Sequence, residues 1–246
     1  MAGAAPAAAH LEDYRGTWQN KAVLRAVYGD YYRRMASRLN SGPTLELGAG
    51  SGQLREHLED VVLTDIQTAP WLDAAADAQA LPFRTGCFEN IVMLDVLHHV
   101  ENPPQFFSEA ARVLKPGGRL VMLEPAITPL SGLFYRHLHP EPVDMEQDPF
   151  ARPAADPKRS PYDANQAIPT LLFRRHRAKF EHHFPDFRLH RVQFLSLFAY
   201  PLSGGYRRWS LVPALLVRPL LFVEDALLAV LGPVMAFRLF VLLERR

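Results

Sequence analysis

The chain has 246 residues, of which 48% are hydrophobic and 22% are charged. These fractions are ordinary for globular proteins, so they exclude an intrinsically disordered chain and a polytopic membrane protein. The formal net charge is +1 and no long basic block occurs, so we expect no nucleic-acid partner. The single cysteine, Cys87, cannot form an internal disulfide, which favours a cytoplasmic location.

The N-terminal region divides into two expected parts. Residues 1–12 are rich in alanine and glycine and lack the basic and apolar regions of a secretory signal, so we predict a disordered leader there. Residues 13–246 are expected to form one domain, which opens with helices over 13–40, where apolar residues recur at steps of three and four. The aromatic residues Tyr14, Trp18 and Tyr28 are expected to pack these helices, with a role in covering a bound ligand as the alternative.

Short apolar runs alternate with helical segments between residues 44 and 125. The predicted strands cover 44–47, 61–65, 71–77, 90–94 and 119–123, with helices at 54–58 and 104–114 between them. This alternation predicts parallel strands joined by right-handed crossovers. The fold class is therefore expected to be α/β with a doubly wound sheet.

The second half of the chain has a different composition. Residues 126–185 are expected to form a proline-rich insertion or lid that ends in a basic helix over 171–184. Residues 186–246 are largely apolar and predict strands at 187–198 and 236–243 around a helix at 211–231, broken or bent near Pro219. These strands bring the predicted sheet to seven, mostly parallel, with helices on both faces.

A glycine-rich loop, Glu46-Leu47-Gly48-Ala49-Gly50-Ser51-Gly52, joins the first strand to a helix. Such a loop lets a ligand approach backbone amides at a helix N-terminus. Gln53 stands where a dinucleotide fingerprint has its third glycine, and the Gly-Lys-Ser/Thr of a phosphate-binding loop is absent. Asp65, at the end of the next strand, is placed to accept hydrogen bonds from a ribose diol, so the pattern favours an adenosyl ligand.

Five segments together resemble the class I S-adenosylmethionine-dependent methyltransferases, in particular the type 11 branch that includes quinone C-methyltransferases: LELGAGSG, LTD, DAQALPF, FENIVMLDVLHHVENP and EAARVLKPGGRLVMLEP. The resemblance covers residues 44–125, which would be the cofactor-binding core of a Rossmann-like domain with S-adenosylmethionine as cofactor. It implies that the cofactor-binding residues are Glu46, Gly48, Ala49, Gly50, Gly52, Asp65, Asp77, Ala78 and Leu94. The segment Ile66–Leu72 is shorter than the usual family helix and contains Pro70, so we expect a more open adenine side.

Candidate residues for the chemistry follow the fourth and fifth predicted strands. Methyl transfer depends mainly on positioning, and a base is optional. The candidate bases are His98, His137 and His139, and the acceptor-side candidates are Tyr135, Glu141 and Asp144. Although His137-x-His139-x-Glu141 resembles a metal-binding spacing, the adjacent prolines enforce extended backbone, so we expect no metal ion.

The apolar C-terminal helix leaves three structural alternatives open. Arg218 and Asp225 share one helical face, so the remaining circumference is apolar, as in a core helix, a dimer interface or a lipid-facing helix. The basic residues at 174–179 would favour peripheral contact with the inner face of a membrane, although no run has the roughly 18 apolar residues of a spanning helix. We expect a small-molecule or lipid-linked acceptor, and the sequence leaves the oligomeric state undecided.

Two alternative functions remain at this stage. A catalytically inactive relative that keeps the cofactor pocket would act as a scaffold or sensor. A nicotinamide-dependent oxidoreductase is disfavoured by Gln53 in the glycine loop.

Overall fold

The computed structural model describes residues 5–153 and 158–246. Helices α1 (Ala5–Asn20) and α2 (Ala22–Ala36) open the chain. Helix α1 therefore begins inside segment 1–12, which was predicted to be a disordered leader, and Leu11 of that segment is buried. Residues 1–4 of the predicted leader lie outside the described residues. The sequence signal misled here because alanine-rich segments are typical of leaders and are also good helix formers.

Seven strands form one sheet in the order β3-β2-β1-β4-β5-β7-β6. They are β1 (Thr44–Leu47), β2 (Val61–Asp65), β3 (Ala74–Ala75), β4 (Phe88–Leu94), β5 (Leu114–Pro125), β6 (Phe187–Leu195) and β7 (Arg238–Arg245). Strand β7 is antiparallel to both of its neighbours, and the other pairings are parallel. The predicted seven-stranded, mostly parallel α/β sheet is confirmed.

The remaining helices lie between or after these strands. They are α3 (Pro103–Val113), α4 (Pro129–Leu138), α5 (Ile168–Thr170), α6 (Arg177–His183), α7 (Ala199–Ser203) and α8 (Ala214–Met235). The segment predicted as an insertion, of which residues 154–157 lie outside the described part, thus contains α4. A capping box in which Thr128 and Ser131 exchange hydrogen bonds starts that helix.

Alternate residues of the central strands point into two different hydrophobic cores. On β4, Ile91 and Met93 belong to one core, which α3 and α6 cover, whereas Val92 and Leu94 belong to the other, which α2, α7 and α8 cover. Within the basic segment, α6 packs into the first core, whereas the Arg174 guanidinium lies 4.1 Å from the ring centroid of Phe194, a residue that Gly232 of α8 also contacts. Three other basic residues of the segment form ion pairs: Arg175 with Glu146, Arg177 with Glu181 and Lys179 with Asp148.

Helix α8 is continuous through Pro219, where a break or bend was expected. Its inner stripe buries Val217, Leu221, Glu224 and Gly232. Most of its other side chains are apolar and exposed. Within the described residues, no helix has the combined length and apolar character needed to cross a membrane.

A buried carboxylate on α8 holds the N-terminal turn of α7. Glu224 is 2% exposed and accepts hydrogen bonds from the backbone amides of Leu197 (3.0 Å), Phe198 and Ala199 (2.5 Å). These amides have no helical partner at a helix start, so the carboxylate satisfies donors that would otherwise be buried and unpaired.

We predict that Glu224→Ala lowers the free energy of unfolding by about 2–4 kcal/mol, because it leaves buried amides without an acceptor. The matched control is Asp225→Ala, which removes only a partly exposed ion pair to Arg34 and should cost less than about 1 kcal/mol. Urea denaturation of the two variants measures the difference. Equal losses would contradict the role assigned to Glu224.

Candidate functional site

A cavity of about 530 Å³ opens at the carboxyl ends of β1, β2 and β4. This is the place where the strand order of the sheet reverses, because β1 pairs with β2 on one side and β4 on the other. Ligands of open α/β sheets bind at such a switch point. The cavity brings together seven of the residues implied by the resemblance: Gly48, Ala49, Gly50, Asp65, Asp77, Ala78 and Leu94.

The glycine loop needs glycine for steric reasons. Gly48 has φ +64°, and a Cβ there would lie 2.4 Å from Cγ2 of Val96. Gly50 has φ +50°, and its amide donates to Oδ2 of Asp65 at 3.0 Å. A side chain at Gly48 would therefore strain the backbone and displace the loop after β4.

Asp65 lies between the loop and the cavity. It is 8% exposed, and its second carboxylate oxygen accepts from the Gln67 amide at 3.1 Å. Burial raises the pKa of Asp65, and the hydrogen bonds from backbone amides oppose that rise. The carboxylate keeps acceptor capacity on the side that faces the cavity.

The short segment after β2 braces the loop in place of a helix. No helix forms between β2 and β3 in this fully described stretch. Instead, the Trp71 indole donates to the carbonyl of Gly50 at 2.8 Å, and the Arg15 guanidinium lies 4.4 Å from the Trp71 ring centroid. The adenine-side candidate Asp77 is exposed at the cavity edge, where it accepts from the Gln79 amide at 2.8 Å.

Glu46 lies beneath the loop and is 1% exposed. Burial raises its pKa well above the ordinary carboxyl value, although a hydrogen bond with Tyr32 opposes the rise. Its Oε2 is buried and has no hydrogen-bond partner among the described residues. Such an atom fits a ligand cation, although neither Glu46 nor Gly52 is among the residues that line the cavity.

A histidine and two carboxylates form a buried cluster at the other end of the cavity. His98 Nδ1 lies 2.7 Å from Oε2 of Glu124, and His98 Nε2 lies 3.4 Å from Oε2 of Glu141. Burial opposes protonation of His98, but the two glutamates outweigh it and raise the pKa of His98 to about 10. Burial likewise opposes ionisation of Glu141, yet His98 and the neighbouring histidines hold the pKa of Glu141 at about 2.

Glu124 also fixes the backbone of this cluster. It is fully buried at the end of β5, and its Oε1 accepts from the amides of Val96 and Leu97 at 2.9 and 2.8 Å. These amides lead into the 3-10 turn Leu97–His99. One carboxylate therefore sets both the turn and the orientation of the His98 ring.

A second buried ion pair lines the cavity. Arg238 is 1% exposed and binds both carboxylate oxygens of Asp95, with Nη2 to Oδ2 at 2.9 Å. The guanidinium also lies 3.9 Å from the Tyr200 ring centroid. Asp95 adopts φ +60°, a conformation that is uncommon for a non-glycine residue and clusters at functional sites.

The structure separates the predicted acceptor-side residues. Glu141 and His139 line the cavity, and burial lowers the pKa of His139. Tyr135 is fully buried outside the cavity lining because its hydroxyl donates to the Phe237 carbonyl at 3.0 Å. His137 is exposed on α4, and Asp144 accepts from the Glu146 amide within its own loop.

Aromatic side chains line the remaining wall of the cavity. They are Tyr14, Tyr28, Tyr32, Phe134, Tyr162, Tyr200, Tyr206 and Trp209. Tyr14 and Tyr28, for which the sequence left packing of the opening helices or capping of the cofactor as alternatives, both line the cavity and pack against Tyr206, with ring centroids at 4.8 and 5.5 Å. The other aromatic side chains carried no sequence signal for the site.

Comparisons with known proteins agree with the motifs. The family described as "Methyltransferase domain" matches residues 45–122. The ubiquinone/menaquinone biosynthesis C-methyltransferase of Ruegeria sp. (strain TM1040) is 35% identical over 106 residues, which cover 43% of this chain and 42% of that protein. The demethylmenaquinone methyltransferase of Tropheryma whipplei (strain Twist) is 39% identical over 77 residues, 29% of this chain and 32% of that protein. The chain thus spans less than half the length of these curated relatives.

Solved structures support the fold. A SAM-dependent methyltransferase from Archaeoglobus fulgidus superposes with a TM-score of 0.54 at 13% identity, covering 90% of this chain and 94% of that one. A SAM-dependent methyltransferase from Thermotoga maritima gives a TM-score of 0.51 at 16% identity, covering 91% and 90%. The family resemblance seen in the motifs is confirmed for residues 45–122, and the Rossmann-like fold class is confirmed.

We predict that Glu46→Gln stabilises the ligand-free protein increasingly as the pH rises above the ordinary carboxyl pKa of 4.5. A raised pKa in the folded state means that stability is full below the unfolded pKa and is lost as Glu46 ionises. The difference from wild type should reach on the order of 1–3 kcal/mol, the cost of a buried unpaired polar group. Denaturant unfolding from pH 4 to pH 9 measures it.

The control for this series is Glu59→Gln, which changes an exposed glutamate. Its stability should follow the wild-type pH profile. If the free energy of unfolding of Glu46→Gln also follows the wild-type pH profile across the whole range, ionised Glu46 does not destabilise the ligand-free protein.

Proposed function

We propose that this chain transfers a methyl group from S-adenosylmethionine to a small, lipid-like aromatic acceptor. Residues 45–122 match the methyltransferase domain family, and the sheet has the class I methyltransferase fold. The observation that carries the proposal is one cavity that joins the glycine loop and Asp65 to a wall of aromatic side chains.

The cofactor half of the cavity fits S-adenosylmethionine. Oε2 of Glu46, which has no partner among the described residues, suits the ammonium group of the methionine end, and the glycine loop allows close approach to its backbone at Gly48 and Gly50. In this proposal Asp65 accepts hydrogen bonds from the ribose hydroxyls and Asp77 from the adenine amine. When bound, this cofactor supplies an electrophilic methyl group on a sulfonium centre.

The acceptor half of the cavity fits an aromatic ring. Tyrosine rings and Trp209 present apolar faces with polar tips, and the Arg238–Asp95 pair adds fixed polar groups at one end. The curated relatives are named for ubiquinone/menaquinone biosynthesis and for demethylmenaquinone. A hydroxylated aromatic ring with an apolar tail is therefore the acceptor class that we propose.

Catalysis in this scheme rests on positioning. Both halves belong to one cavity, so the acceptor is held against the reactive methyl group with its translational freedom already lost. The side-chain amide of Gln67 donates to the Tyr162 hydroxyl at 2.5 Å, which joins the segment after β2 to the loop after residue 158.

We predict that S-adenosylmethionine and S-adenosylhomocysteine, each at a hundred times its dissociation constant, stabilise the wild type by about 2.7 kcal/mol. Gly48→Ala should abolish the stabilisation because its Cβ would collide with Val96. Asp65→Asn should lose about 1.5–3 kcal/mol of binding free energy, the worth of hydrogen bonds to a charged group. Calorimetric titration and thermal unfolding measure both effects.

Three controls make this test specific. Asp60→Asn changes an exposed aspartate immediately before β2, at the opposite end of that strand from Asp65, and should bind like wild type. Stabilisation by NADH in place of the adenosyl compounds would replace the proposal with an oxidoreductase. If the chain binds S-adenosylmethionine but transfers no labelled methyl group to hydroquinones with or without an apolar tail, the scaffold alternative is favoured.

We also propose that α8 and α4 lie against the anionic inner face of a membrane, from which a lipid-like acceptor would enter. The two helices pack together, and they share a set of exposed apolar side chains: Leu130, Leu133, Leu138, Leu215, Leu216, Phe222, Val223, Leu227, Val230 and Val234. Such an extended apolar surface is unusual for a face that meets only water.

Charge and position support a lipid surface. Four exposed arginines lie on or beside these helices, at positions 136, 207, 208 and 218, where they would meet anionic headgroups. Phe134 of α4 also lines the cavity, and so do Arg207 and Trp209, which belong to the segment that precedes α8. Helix α4 and the segment before α8 thus connect the apolar surface with the acceptor half of the cavity.

We predict that wild type sediments with vesicles of phosphatidylglycerol and phosphatidylcholine, and that the double variant Phe222→Gln/Val230→Gln binds them at least tenfold more weakly. Those side chains are 78% and 75% exposed, and burying each apolar side chain contributes about 1.5–3 kcal/mol. Ile66→Gln, which removes a 51% exposed side chain outside both helices, should bind like wild type. Failure of wild type to bind, together with a dimer that the double variant dissociates, would assign this face to self-association.

A further inference from the structure

We propose that His98, His99 and Glu141 form a binding site for a first-row divalent cation at the acceptor end of the cavity. One ligand atom from each of the three residues lies within 4.8 Å of the others. All three residues line the cavity. This inference stands independently of methyl transfer, since it concerns a set of side chains that the cofactor half does not use.

The spacing of the donor atoms suits such an ion. Glu141 Oε2 is 3.4 Å from Nε2 of His98, and Glu141 Oε1 is 3.9 Å from Nε2 of His99. Ions with bonds of about 2.0–2.1 Å hold tetrahedral ligand atoms about 3.3 Å apart. The three side chains therefore need only small movements to close on one ion, and two histidines with one glutamate are a donor set of catalytic zinc sites.

The surroundings of His98 supply the outer contacts that a ligating histidine needs. A carboxylate only accepts hydrogen bonds, so the 2.7 Å contact gives Nδ1 of His98 a proton that faces Glu124. Nε2 faces Glu141, and a bound ion would take the place of the proton that Nε2 carries in the ion-free protein. A carboxylate–histidine–metal arrangement of this kind fixes the ring and strengthens it as a ligand.

Glu141 is held in the same manner. The Gln166 side-chain amide donates to its Oε2, and its backbone amide donates to Nδ1 of His139 at 3.3 Å. Gln166 therefore orients the carboxylate, and His139 holds the backbone of the same residue. Two carboxylates, Glu124 and Glu141, also balance the charge of a divalent ion when both histidines are neutral.

In the sequence, the segment His137–Glu141 resembled a metal-binding spacing, but its prolines enforce extended backbone and disfavoured a metal ion. The structure pairs Glu141 with a different set of histidines, because the loop after α4 folds back over the turn that follows β4. Three protein ligands leave a further coordination position open toward the cavity, where an oxygen atom of an acceptor would bind. A divalent ion there would polarise that oxygen.

The test uses the untagged, chelator-treated chain without cofactor or acceptor, so its outcome does not depend on the proposed transferase activity. We expect one Zn²⁺ per chain by competition with a chromophoric chelator. Co²⁺ should bind with the visible absorption of a four- or five-coordinate site containing nitrogen ligands. His99→Ala and Glu141→Gln should each lower Zn²⁺ affinity by at least tenfold, and Glu124→Gln should lower it by about 10–100-fold.

The matched control is the double variant His182→Ala/His183→Ala, which removes an exposed pair of consecutive histidines on α6. It should bind Zn²⁺ like wild type. The Co²⁺ spectrum of the wild type keeps the test decisive if a site variant fails to fold. The proposal is overturned if the wild type binds no stoichiometric ion, or if the His182/His183 variant loses as much affinity as His99→Ala.

Discussion

The reversal of strand order between β1 and β4 is the constraint on which the rest of the molecule depends. The connections that follow β1 and β4 lead away in opposite directions, so they do not cover the carboxyl ends of these two strands. A crevice therefore opens between them. The glycine loop, Asp65 and the turn after β4 all follow strands that end at this edge. The cavity therefore has a cofactor side at β1 and β2 and a second side at β4 and β5.

Buried glutamates stabilise the irregular backbone around that cavity. Glu124 binds the amides that lead into the turn after β4, and Glu224 binds the amides at the start of α7. Among the described residues neither carboxylate is paired with lysine or arginine. Hydrogen bonds from fixed donors offset the desolvation of both, and Glu124 is also paired with His98. Glu46 differs, because its Oε2 has no hydrogen-bond partner among the described residues, and this contrast supports its proposed role in cofactor binding.

Much of the cofactor half could be predicted from the sequence, because its residues are close together in the chain. Gly48 and Gly50 belong to one loop, and Asp65 ends the next strand. The acceptor half could not, since its walls come from α1, α2, α4, α7 and β7. Tyr135 illustrates the difficulty, because a tyrosine in a proline-rich segment looks available until its hydroxyl is found bonded to Phe237.

The sequence by itself determined the α/β class, the seven strands and the place of the glycine loop, because period-two apolar runs and glycine spacing are local properties of the chain. Only the tertiary structure decided which faces the helices cover and which titratable groups meet. His98 follows β4 in the 3-10 turn Leu97–His99, yet its partners Glu124 and Glu141 lie 26 and 43 residues further along the chain. Contacts of that kind depend on strand register and on how the loop after α4 folds back, which no local pattern specifies.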